Sequence, residues 1–137
     1  MKKKLYIILH VLILFFIILS AQSQNMIGLT KTEVQKQMLV NFPKFAANFF
    51  GISTNINTLK YIDSKTDRTL IFYFTKENKC QYSKMIEDMD LIDARIKEFN
   101  IKYKPNGTLQ WTESKNGKNY KIKIEKEEYI FNVIISE

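Results

Sequence analysis

The stretch TLIFYFTKENKCQYSKMI, residues 69–86, decides the fold. Thr69 to Thr75 is β-branched and aromatic, the composition of a strand. Glu77-Asn78-Lys79 turns the chain, and Cys80 to Ile86 returns as a second arm. A long hairpin with a charged tip is therefore expected. NYKIKIEKEEYIFNVII, residues 119–135, repeats the pattern. In its first arm Tyr120, Ile122 and Ile124 alternate with Lys121, Lys123 and Glu125, the period of a half-buried strand. Its second arm, Tyr129 to Ile135, is apolar on both sides.

One further strand precedes each hairpin. Leu59 to Ile62 enters the first through the turn Asp63-Ser64-Lys65-Thr66-Asp67. Thr108 to Glu113 enters the second through Asn116-Gly117, a two-residue loop whose positions tolerate positive φ. A helix stands before each set of three. Thr30-Lys31-Thr32-Glu33 is a capping box that starts a helix from Lys31 to about Val40, with Val34 and Met38 on its apolar side. Asp88 or Asp90 caps the second helix, whose stripe is Ile92, Ile96, Phe99 and Tyr103. Pro105-Asn106-Gly107 stops it. Phe42, Phe45, Phe49 and Phe50 recur near helical spacing ahead of Gly51, so a short helix is expected there as well. The fold class is α+β: an antiparallel sheet with helices on one face, in the order α-βββ-α-βββ, a candidate tandem repeat.

The N-terminus reads as an address. Lys2 to Lys4 precede an apolar run from Leu5 to Leu19, and Ser20 to Asn25 are small or polar. This is the layout of a secretory signal peptide, its core shorter than the ~20 residues of a span. Ala21-Gln22-Ser23 places cleavage after Ser23, so residues 1–23 are the signal and 24–137 a single domain. The competing reading is an uncleaved anchor holding the domain at a membrane. The expected location is periplasmic or secreted, and the signal's style is bacterial.

The formal charge of +7 includes Lys2, Lys3 and Lys4, and falls to +4 without them. That is short of the basic footprint of a nucleic-acid binder. Cys80 is the only cysteine and His10 the only histidine. With His10 in the signal, the domain lacks the usual zinc ligands and any Ser-His or Cys-His pair. Its scattered glycines form no phosphate loop. No cofactor and no catalysis are expected.

The stretch GLTKTEVQKQM, Gly28 to Met38, resembles the first helix of small exported bacterial proteins with a β-lactamase-inhibitor-like fold. The resemblance covers about a tenth of the domain, and no lipid-anchor cysteine follows the apolar run. It implies a small α+β binding module.

Several groups remain as candidates. Glu87, Asp88, Asp90 and Asp93 read either as a cation site or as acids that cap a helix and complement its dipole. Cys80 reads as a buried hydrophobe or as a reactive thiol. Asn106-Gly107-Thr108 is a turn that also fits a glycosylation sequon. Lys121 and Lys123, with Lys115, Lys118 and Lys126 nearby, make a basic stripe, read as a solvated, edge-protecting face or as a meeting point for an acidic partner, a glycan or a lipid headgroup. Ile71 and Tyr73 point away from Leu70, Phe72 and Phe74, so both faces of that strand need cover. The Phe-rich segment supplies the second cover, or a partner does. Phe45, Phe49, Phe50, Ile71, Tyr73, Lys121 and Lys123 are therefore the candidate interaction surface. The expected function is an exported, non-catalytic binding module for an unknown protein or envelope component. The alternative is a carrier of a small hydrophobic ligand, held between helix and sheet.

Overall fold

A computed structural model describes residues 25–47 and 57–137; residues 1–23, for which a signal is expected, and Phe49 and Phe50 lie outside these. The order is α1 (Lys31–Asn41), β1 (Ala46–Ala47), β2 (Thr58–Asp63), β3 (Arg68–Phe74), β4 (Cys80–Asp88), α2 (Ile92–Lys102), β5 (Lys104–Pro105), β6 (Gln110–Lys115), β7 (Lys118–Lys126) and β8 (Ile130–Ser136). All eight strands join one antiparallel sheet in the order β1-β2-β3-β4-β8-β7-β6-β5. Each half runs helix, two-residue strand, three long strands, and the last strands of the halves meet in the middle as β4 against β8.

The turns are those the residue types dictate. Asn116 and Gly117 both take positive φ between β6 and β7. The Asp63 carboxylate accepts hydrogen bonds from the Lys65 amide at 3.1 Å and the Thr66 hydroxyl at 2.7 Å, closing the β2–β3 turn. The Thr30 hydroxyl accepts the Glu33 amide at 3.3 Å, while the Glu33 carboxylate accepts the Thr30 amide at 2.7 Å.

One core holds both helices on the same side of the sheet. Val34 and Met38 of α1, with Ile92 and Phe99 of α2, join Phe72, Met85, Ile122, Phe131 and Val133. Phe72 and Phe131 are fully buried. The segment ahead of α1 ties the halves together. The Gly28 amide donates to the Cys80 carbonyl at 2.8 Å, and Asn25 Nδ2 donates to Glu113 of β6, also at 2.8 Å. Among the described residues no helix is long and apolar enough to cross a membrane.

The structure corrects three boundaries. No helix follows Phe42 among the described residues: Phe42 ends α1, the Phe45 amide turns back onto the Phe42 carbonyl, and Ala46–Ala47 pair with Ile62 and Tyr61 of β2, while Phe49 and Phe50 lie outside the described residues. The second helix stops at Lys102, before the proline, because Tyr103 is extended and leads into β5. The strand from Cys80 continues to Asp88, two residues past Ile86, because its pairing with β8 runs on to Ile130.

Candidate interaction face

Strand alternation sends every second side chain away from the helices. The register then sorts these side chains into rows across the sheet. One row reads Lys60, Ile71, Lys84, Ile134, Lys123 and Gln110, from β2 through β3, β4, β8 and β7 to β6. The next reads Thr58, Tyr73, Tyr82, Ser136, Lys121, Thr112 and Lys104. Ile71, Tyr73, Lys121 and Lys123 are thus placed on one face, opposite the helices and open among the described residues. The sequence placed the two pairs on separate strands, β3 and β7, and the β4–β8 pairing puts those strands in one sheet with two strands between them.

Apolar side chains and lysines alternate across this face, with Lys84 on central β4 between Ile71 and Ile134. Ile71, Tyr73, Tyr82 and Ile134 are half-buried, and Lys121 and Lys123 are exposed. The Tyr73 and Tyr82 rings stack at 4.2 Å between centroids. Burial, with Tyr73 beside it, pushes the Tyr82 phenol above its ordinary pKa. Lys123 Nζ lies 2.7 Å from the Glu125 carboxylate. Lys121 and Lys123 protect no edge, because β7 is an interior strand between β8 and β6. At one end of the face an open cleft of about 440 Å³ is lined by Ile27, Tyr82, Ile134, Ser136 and Glu137.

Phe45 sits elsewhere. Its neighbour Ala46 pairs with Ile62 on the open face, so Phe45 turns to the helix side, where the Arg68 guanidinium lies 5.6 Å from its ring. Phe49 and Phe50 lie outside the described residues.

The acidic run separates by role. Asp88 caps a short 3₁₀ turn, Met89–Leu91, accepting the Asp90 amide at 3.0 Å. Asp90 and Asp93 face solvent. Glu87 is no cap: it is fully buried, bound by Arg95 through Nη2 at 2.5 Å and Nε at 2.8 Å, with Arg68 3.9 Å away. Arg68 also bonds Asp63 at 3.3 Å, and Arg95 bonds Glu98 at 2.5 Å. The hydrogen bond from Thr66 is the largest of the effects that hold the Asp63 carboxyl below its ordinary pKa; the Lys65 amide and Arg68 add to it. This network was legible only as charges of opposite sign; nothing in the sequence pairs Glu87 with Arg95. Among the described residues no three His, Cys, Asp or Glu side chains are grouped to hold a metal ion.

Cys80 is buried, and its thiol is pushed up to about 12 by loss of hydration. At neutral pH it is a protonated, inert group that fills space in the core.

No family model matches the chain, and neither a curated protein nor a solved structure is similar to it.

Proposed function

We propose that this is an exported, non-catalytic binding module that engages a protein or envelope component through the open face of its sheet. The observation that carries the reading is the asymmetry of the two faces. One is sealed by α1 and α2 over a core with fully buried Phe72, Met38 and Phe131. The other sets half-buried Ile71, Tyr73, Tyr82 and Ile134 in adjoining rows, with no helix across them among the described residues. Recessed apolar side chains interleaved with charges suit a recognition surface. The N-terminal layout supports delivery to the periplasm or the medium.

Two measurements test it. A photo-crosslinking side chain at position 71 should give discrete adducts in the intact host, and the same group at position 97, on the helix side, should give none. Adducts from 97 alone, or equally from both, overturn the open-face reading. Intact mass should show a chain beginning at Gln24 in soluble envelope or extracellular fractions. A full-length mass confined to membranes overturns soluble export.

A further inference from the structure

The row through the centre of the open face alternates in kind: Lys60, Ile71, Lys84, Ile134, Lys123. Lysines stand on every second strand, so with strands about 4.8 Å apart the ladder places a cation about every 9.6 Å. Lys121 and Lys104 continue the charge in the adjoining row, again two strands apart. The aliphatic residues between them and the Tyr73–Tyr82 stack form the floor. Lys123 is paired with Glu125, whereas Lys60, Lys84 and Lys121 make no ion pair among the described residues. The face therefore has an uncompensated positive charge over apolar ground.

We propose that this ladder docks an acidic polypeptide segment of a partner protein. Its carboxylates would meet Lys60, Lys84 and Lys121, while its apolar side chains settle on Ile71, Tyr73, Tyr82 and Ile134. The proposal rests on the reading of the open face as the binding surface. Charge selects the occupant. A second copy is disfavoured, because a two-fold interface sets the same patch against itself and would bring lysine onto lysine. A lipid surface is disfavoured, because insertion needs apolar groups that protrude. Among the described residues the large apolar side chains that protrude furthest, Leu39, Val40, Ile101 and Tyr129, lie on the helices and a hairpin tip. On the open face the apolar groups are recessed beside lysine stems, the geometry for carboxylates above and side chains below.

The test uses the purified protein and three probes: a random glutamate–tyrosine copolymer, polyglutamate of matched length, and phosphatidylcholine vesicles carrying phosphatidylglycerol. The copolymer should bind more tightly than polyglutamate, and binding should weaken as added salt screens the lysines. Amide shifts should map to β2, β3, β4, β7 and β8. K60E/K84E/K121E should lose binding about tenfold or more, and K60Q/K84Q/K121Q should lose less. K36E/K76E/K97E, with the same change in net charge away from the face, should bind as the native protein does. An equal loss in that control, or no copolymer binding, overturns the proposal. Binding to vesicles alone overturns it in favour of a lipid surface. Crosslinks from position 71 without copolymer binding would spare the open-face reading and remove only the acidic partner. Amide shifts confined to the helix side would remove both.

Discussion

The two halves of the molecule follow one order of elements and hold their helices by different chemistry. In the first, α1 is started by a reciprocal cap, Thr30 with Glu33, and anchored by aliphatic Val34 and Met38. In the second, α2 follows a 3₁₀ turn, has no side-chain cap of its own, and is fastened by charge and by rings. Arg95 reaches back to buried Glu87, and Phe99 packs edge-on against Trp111 at 5.2 Å and Tyr103 at 5.3 Å. The Trp111 indole donates to Asn100 at 2.8 Å. A sheet with this strand order asks only that a helix cover each half of one face. Which forces seat the helix is left to the local residues.

Breaking the ion pair should have the largest effect. Glu87→Ala leaves Arg95 with a buried charge and one partner fewer, and should cost about 3–5 kcal/mol in denaturant unfolding. The double variant Glu87→Leu with Arg95→Met should recover most of that loss. A cost under about 1 kcal/mol for the single variant would mean that rings alone seat α2. Next comes the aliphatic anchor of α1. Met38→Ala should cost about 3 kcal/mol, the price of a buried long side chain and the cavity it leaves. Thr30→Ala should cost about 1 kcal/mol, the usual value of a helix cap. It should also return the Glu33 carboxyl toward its ordinary pKa of 4.5, which the bonds from Thr30 lower in the native protein. Both changes are readable, by unfolding and by NMR titration; the backbone amide at position 30 can still donate to Glu33, so the rise should be partial, and no rise would assign the lowering to that amide rather than to the hydroxyl. The smallest effect is on the acid limb. Asp63 has its pKa lowered from 3.8 by folding, so the stability it adds is present above that value and fades as pH falls through the lower native one. Asp63→Asn should flatten the low-pH decline in melting temperature; an unchanged slope would assign that decline to other carboxylates.

Much of this frame was legible in the sequence, for local reasons. The capping box, the Asn116-Gly117 turn and the alternation of Tyr120, Ile122 and Ile124 each depend on residues within a few positions of one another. The strands come where β-branched and aromatic residues gather. The order α-βββ-α-βββ follows from these signals, and the sheet adds to it only the two-residue strands β1 and β5. Those strands were missed because their residues, Ala46-Ala47 and Lys104-Pro105, carry no β preference of their own and pair because β2 and β6 offer open edges. The site was legible in half. The alternation within β3 and β7 showed that Ile71, Tyr73, Lys121 and Lys123 point away from the cores of their hairpins. It could not show that the two hairpins share a sheet, because strand partnership between distant segments is decided by packing. Glu87 was misread for the same reason: its partner Arg95 lies across a helix–strand contact, and its neighbours in sequence are true surface acids.

The meeting of β4 and β8 has a consequence for how the chain reaches this state. Apart from that seam and the N-terminal ties, every pairing in the sheet joins strands adjacent in sequence, so two meanders can assemble at low entropic cost, each within its own half. The seam alone demands a distant encounter, from Tyr82 with Ser136 to Asp88 with Ile130. By contact order the pairing of the two halves is the expected slow event in folding, testable as a folding rate that falls when the β4–β8 seam is weakened. Until β8 pairs with it, β4 presents an unpaired edge beside Met85 and Ile86, so the chain is most open to wrong pairing before the seam closes.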